Sequence, residues 1–155
     1  MFSPGLVRGM AAAPTAIKAS LPIVICGKNP QVSSAVIAAL HPDYTVAHSI
    51  QSPTAGVRDL PGFLRPGVGT EEQAATPVAV LIGGGYTDED MKSMQDACRD
   101  GQPVVWLKVR PVDRDRSGPL PTFAEWGAEI GRRARDFLNQ LRSQEQLGKD
   151  HTFYL

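Results

Sequence analysis

The sequence has little of what usually declares a chemistry. It holds two cysteines, Cys26 and Cys98, and three histidines in 155 residues. The cysteines stand too far apart for a zinc knuckle or a redox pair, and each lies in an apolar setting, so a reduced intracellular compartment is expected. His41, His48 and His151 are scattered, with no cysteine or carboxylate at metal-ligand spacing, so no metal site is expected. No apolar run approaches the roughly 18 residues that a membrane span needs. Sixteen basic residues balance sixteen acidic ones, which offers nothing to a nucleic acid through bulk charge. Also missing are a G-x-S-x-G nucleophile elbow, the acidic pair that a receiver domain carries after its first strand, and the Y-x3-K spacing of short-chain dehydrogenases.

Acids are absent from the start of the chain, where the first is Asp43. Residues 1–20 carry Arg8 and Lys18 among alanines and serines. They read as a flexible tail of a cytoplasmic protein, the alternative being a mitochondrial transit segment. What remains, 21–155, is enough for one domain, and at 42% hydrophobic residues it can bury a core without metals or disulfides.

The chain is organised around Leu21 to Leu40, LPIVICGKNPQVSSAVIAAL. Pro22 to Cys26 is continuously apolar and β-branched, as a strand covered on both faces would be. Asn29 and Pro30 then make a helix N-cap and first-turn pair, and Val32, Ala35, Val36, Ala39 and Leu40 follow on one helical face. Gly27 supplies a permissive backbone at the strand exit. Amides near Pro30 to Ser33, with the hydroxyls of Ser33 and Ser34, are placed to face an anion; an ordinary strand-to-helix turn is the competing reading. Against the dinucleotide pattern G-x-G-x-x-G the three positions read Gly27, Asn29 and Val32, and the acid expected about 20 residues later is missing. The second strand, Tyr44 to Ile50, brings only Ser49 and Gln51 to where a ribose would be held.

Thr54 to Leu64 reads as a second helix that Pro61 and Gly62 bend or end. Arg65 to Thr76 reads as an exposed loop, with a lid over the site as the alternative. Pro77 to Ile82 is a second buried strand, and it runs into Gly83, Gly84, Gly85 and Tyr86. Three successive glycines cost backbone entropy, which points to close approach by something, and Tyr86 beside them offers a ring for a planar ligand; a tight turn with a packed tyrosine is the competing account. Thr87 with Asp90 caps the next helix, whose inner stripe is Met91, Met94, Ala97 and Cys98. Gln102 to Val109 is the last expected strand. A charged, proline-broken connection follows from Arg110 to Pro121, and Thr122 with Glu125 then caps a long helix reaching toward Gly148. Its apolar stripe includes Phe123, Trp126, Ile130, Ala134, Phe137 and Leu141, with Arg132, Arg133 and Arg135 on a solvated face. The tail TFYL, Thr152 to Leu155, is apolar enough to dock on this subunit or on a partner.

Strand and helix alternate throughout, which implies right-handed crossovers and a three-layer αβα sandwich around a four-stranded parallel sheet. The expected order is 2-1-3-4, Rossmann-like or flavodoxin-like. The Gly27 and Gly83 loops then flank one crevice at the carboxyl edge of the sheet, where such folds bind ligands. One competing chemistry centres on Cys26, whose loop is faintly similar to phosphocysteine loops; the phosphatase form C-x5-R needs arginine where Val32 stands, which favours a structural thiol.

The segments IVICGKNPQVSSAVIAALHPDYTVAHSIQSPTAG and AVLIGGGYTDEDM resemble a family of small fungal proteins with Rossmann-like folds, which share an I-x-I-C-G-K/R start and a G-x-G-Y turn. The resemblance covers most of residues 21–155 and implies predicted nucleotide binding, a statement about fold more than chemistry. Three readings follow. The first is a small-molecule or nucleotide-binding protein with Gly27, Lys28, Asn29, Ser33, Ser49, Gly83, Gly84, Gly85 and Tyr86 around the ligand. The second is an oxidoreductase using NAD(P), with Lys28 on a phosphate and Tyr86 on the nicotinamide or substrate. The third is a non-catalytic homodimer joined through the C-terminal helix and tail.

Overall fold

The computed structural model describes residues 20–64, 76–110, 119, 121–147 and 149–155. The N-terminal tail as far as residue 19 and the loop over 65–75 lie outside the described residues.

The elements alternate as the apolar pattern predicts: β1 (Leu21–Cys26), α1 (Pro30–Leu40), β2 (Tyr44–Ile50), α2 (Pro53–Phe63), β3 (Ala79–Ile82), α3 (Asp88–Ala97), β4 (Val105–Lys108), α4 (Phe123–Ser143) and β5 (His151–Tyr154). They build one parallel sheet between two helical layers. The sheet has five strands in the order β2-β1-β3-β4-β5, which corrects the expected four. The added strand is the C-terminal tail itself: it pairs in parallel with β4 from Val105↔His151 to Lys108↔Tyr154. So its docking surface is its own sheet edge. Four residues are too few to show a strand period, which is why the segment reads as a mere apolar tail.

Side chains alternate along each strand, and the alternation divides the core in two. Ile23, Ile25, Leu81 and Leu107 pack against Val36 and Leu40 of α1 and Ile130, Ala134, Leu138 and Leu141 of α4. Val24, Cys26, Val80, Ile82 and Trp106 pack on the other side against Leu60 of α2 and Met91 and Met94 of α3. Strand β2 serves both halves. Its pairing with β1 slips between Ile23↔Val46 and Val24↔His48, leaving Ala47 as an extra residue. That bulge turns the strand over, so Tyr44 and Val46 join the first core while Ile50 joins the second.

The first three crossovers share one hand, since each change of direction across the sheet goes with a change of face. The last does not. From β4 to β5 the chain moves the same way as from β3 to β4, yet α4 lies on the face of α1 rather than that of α3. This connection therefore has the opposite hand to the others, and it leads to the fifth strand, which lies beyond the four whose winding the sequence implied. What holds α4 there is a close helix contact. A Cβ at Gly127 would come within 2.5 Å of the Val32 carbonyl oxygen, and one at Gly131 within 2.6 Å of Ala39 Cβ. The two glycines, one turn apart, let the helices approach backbone to backbone.

Candidate functional site

Strand β1 sends its chain to one face and the neighbouring β3 sends its chain to the other, so a crevice opens between their carboxyl ends. The two glycine loops meet there. The Gly83 amide donates to the Cys26 carbonyl at 2.8 Å, and a Cβ on Gly83 would stand 3.2 Å from that oxygen and 3.8 Å from Gly27 Cα. Gly85 lies beside the Lys28 stem, its Cβ position 3.6 Å from Lys28 Cδ. Between the loops is a cavity of about 450 Å³. An apolar void of about 30 Å³ continues beneath it, against Ile25, Leu81, Val109 and Ile130.

Of the residues that the sequence nominates, Gly27, Lys28, Asn29, Ser33, Gly83, Gly84 and Gly85 line the cavity. Ser49 and Tyr86 do not. Ser49 is an exposed residue of the edge strand β2. Tyr86 is 2% exposed within the core of the α2–α3 side, and its hydroxyl donates to the Ile50 carbonyl at 3.3 Å. Its ring is thus unavailable for a ligand to stack on; instead Lys28, which lines the crevice, holds its Nζ over that ring at 5.6 Å from the centroid. Burial, with Cys26 and Asp90 nearby, holds the Tyr86 phenol well above its usual range.

The anion cradle expected at the start of α1 is already filled. Asn29 Oδ1 accepts from the amides of Gln31 (2.9 Å) and Val32 (3.3 Å), Ser33 N–H donates to the Asn29 carbonyl, and Pro30 has no N–H to offer. Ser33 is buried, with Oγ 2.9 Å from where a Gly27 Cβ would be. The open donors lie in the loops themselves. The Gly83 and Tyr86 amides are used in the turn, whereas those of Gly84 and Gly85 have no acceptor among the described residues.

A third wall is one that sequence reasoning missed. Arg110 at the exit of β4, Pro121, and Phe123, Trp126 and Ile130 from α4 close the cavity opposite the glycines. Phe123 and Trp126 read as core positions because their spacing is helical, yet Phe123 is 55% exposed. The signal that distinguishes them is position: both lie in the first turn of α4, just after its Thr122 cap, where Trp126 packs partly against the core and Phe123 stays in the open. The capping box of Thr122 and Glu125 fixes where that turn begins. Arg110 is set from the far side. Its guanidinium lies 5.0 Å from the Tyr154 ring centroid, and its amide donates to the Leu155 carbonyl. Leu155 N–H in turn donates to the Lys108 carbonyl at 2.9 Å.

Among the described residues the lining carries two ionisable side chains, Lys28 and Arg110, both cationic, and no carboxylate. Among the described residues neither forms an ion pair. Cys26 offers no nucleophile: burial, with a smaller effect of Cys98, pushes its thiol up to about 12, so it stays protonated at neutral pH. Lys108 is buried beside β5, donating to the Val109 carbonyl at 3.0 Å; desolvation lowers its pKa and Asp88 and Asp90 offset part of that. Among the described residues no group of three or more His, Cys, Asp or Glu is placed to hold a metal. The basic cluster on α4 is a solvated face, with Arg132 and Arg133 both paired to Glu129. Among the same residues no helix is long and apolar enough to cross a membrane.

No family model matches the chain, and no solved structure matches it. The protein "Kojic acid related protein 6" of Aspergillus oryzae (strain ATCC 42149 / RIB 40) is 31% identical to it over 141 residues, covering 88% of this chain and 87% of the relative. At that identity and coverage the chain belongs to the family of this fungal protein.

Proposed function

We propose that the protein binds a small molecule, nucleotides included, in the crevice between the loops after β1 and β3, with α4 as its third wall. The observation that carries the reading is the meeting of the Gly27 and Gly83 loops around about 450 Å³ of space at the sheet's switch point. That volume lies within the roughly 300–1,000 Å³ typical of small-molecule sites, and a parallel doubly wound sheet of Rossmann-like type places ligands at this edge. The NAD(P)-dependent reductase reading loses its ring, because Tyr86 is buried with its hydroxyl on a backbone carbonyl. The dimer reading loses its tail, which is a strand of the subunit's own sheet.

Thermal-shift measurements with mononucleotides, flavins, NADPH and kojic acid test the proposal; kojic acid enters through the relative's name alone. A compound at 100 times its Kd stabilises by about 2.7 kcal/mol, which for a domain of this size raises Tm by roughly 5–10 °C. The expected result is such a rise, lost on substituting Gly84 by valine. A rise unaffected by that change places the ligand elsewhere and removes the proposal.

A further inference from the structure

We infer that the crevice selects an oxyanion, a carboxylate or a phosphate ester, carried on a flat apolar body, and that the C-terminal strand sets this preference by holding Arg110. The inference rests on the crevice being a binding site, as proposed above, and adds the class of ligand. The lining of the cavity combines two chemistries. Lys28, Arg110 and the open amides of Gly84 and Gly85 supply donors, with no carboxylate among the described lining residues. Val32, Phe123, Trp126 and Ile130 present apolar and aromatic surface. An anion placed between two cations and two open amides gains charge-assisted hydrogen bonds, while a ring beside Trp126 and Phe123 buries apolar area that is otherwise in water. A neutral ligand of the same shape gains only the second.

Arg110 owes its position to residues outside the cavity. Its main chain is pinned by the Leu155 carbonyl, and its guanidinium lies over the Tyr154 ring. Tyr154 is itself tied to the start of α3, its hydroxyl 3.4 Å from Asp88 Oδ1. The ring of Tyr154 is thus a positioning element: it touches no ligand and acts through Arg110.

Matched probes test this by calorimetric titration of the full chain: 2-naphthoate and 2-naphthyl phosphate against 2-naphthamide, which has the same flat body without the charge. The acids are expected to bind about tenfold more tightly than the amide or better, the lower end of what a charge-assisted bond contributes at a partly exposed rim. Carboxylate and phosphate are separated by which acid binds more tightly. Arg110→Gln and Lys28→Gln are each expected to weaken the acids about tenfold and leave the amide unchanged, whereas Trp126→Ala weakens acid and amide alike. Tyr154→Ala is expected to reproduce Arg110→Gln, and Tyr154→Phe, which keeps the ring, to restore wild-type affinity; loss of fold would lower the amide's affinity too. Equal binding of acid and amide, with both sensitive to Trp126→Ala, overturns the oxyanion class and leaves the crevice reading standing. Absence of binding by all three probes at millimolar concentration overturns both. Selectivity that survives Tyr154→Ala overturns the role of the C-terminal strand.

Discussion

Replacing Gly131 by alanine sets two effects of known size against each other. In a helix interior the change is favourable by about 0.8–1.0 kcal/mol, because alanine loses less backbone entropy. At Gly131, however, the new Cβ would stand 2.6 Å from Ala39 Cβ, 2.9 Å from the Val36 carbonyl oxygen and 3.2 Å from Val36 Cα. All three neighbours belong to α1 backbone or its first side-chain atom, so no flexible tip can swing away and α1 and α4 must move apart. Overpacking of this kind costs about 1–3 kcal/mol, and the rigidity of the contact places it in the upper half. The net expectation is a loss of about 1–2 kcal/mol, or a Tm lower by roughly 2–8 °C. Gly62→Ala provides the control on α2, where nothing lies within 4 Å of the new Cβ; there the same substitution stabilises by about 0.4–1 kcal/mol. Urea unfolding at fixed pH measures both. If Gly131→Ala stabilises as much as Gly62→Ala, the close approach of α1 and α4 is wrong, and with it the placement of the wall that carries Phe123 and Trp126.

Asn29→Ala removes the acceptor for two first-turn amides and is expected to cost about 1 kcal/mol in urea unfolding. Asn29→Asp keeps the cap, so stability holds, but it sets a carboxylate in the crevice and should weaken 2-naphthoate in calorimetry. Burial raises Cys26 to about 12, Cys98 to about 11 and Tyr44 to about 12. The folded state therefore holds these protons more tightly than the unfolded chain, whose thiols ionise near 9.0. Their contribution is intact below that pH and is lost as pH rises toward the folded values, so the urea midpoint should fall above pH 9 and not between about 7 and 8. Deleting residues 149–155 removes the partner of β4 and the edge-on contact of Phe153 with Phe137 at 5.0 Å. The bared edge of β4 should show as self-association in light scattering; a monomer of unchanged Tm would mean that β5 contributes nothing.

The architecture was legible wherever a single physical rule dominated. PIVIC and PVAVLI read as buried strands, and the structure has strands over Leu21–Cys26 and Ala79–Ile82, the second starting two residues later than read; Asn29-Pro30, Thr87 with Asp90, and Thr122 with Glu125 each mark a helix start that the side-chain capping bonds reproduce. The meeting of the Gly27 and Gly83 loops followed from strand order alone. What escaped depended on contacts between distant residues. Tyr86 follows three glycines and reads as exposed, yet the turn folds it inward until its hydroxyl reaches Ile50, 36 positions away in sequence. The start of α1 is a local case in which two readings of the same residues compete: the Asn29 cap, itself legible in the sequence, takes up the Gln31 and Val32 amides that the anion reading needs. Phe123 and Trp126 have core spacing, yet both line the crevice, and Phe123 is exposed there. The hand of the last crossover has no sequence mark at all: it follows from Gly127 and Gly131 meeting Val32, Ala35, Val36 and Ala39 on another helix.

Amide chemical shifts recorded while 2-naphthoate is titrated into the uniformly labelled protein address the central claim, that the space between the glycine loops holds a ligand. The account predicts that the largest changes fall together on Gly27, Lys28, Asn29, Gly83, Gly84, Gly85 and Arg110 and on the Trp126 indole, while the buried Trp106 indole stays still. Changes gathered on the outer edges of β2 or on α2, with the glycine loops unmoved, would contradict it.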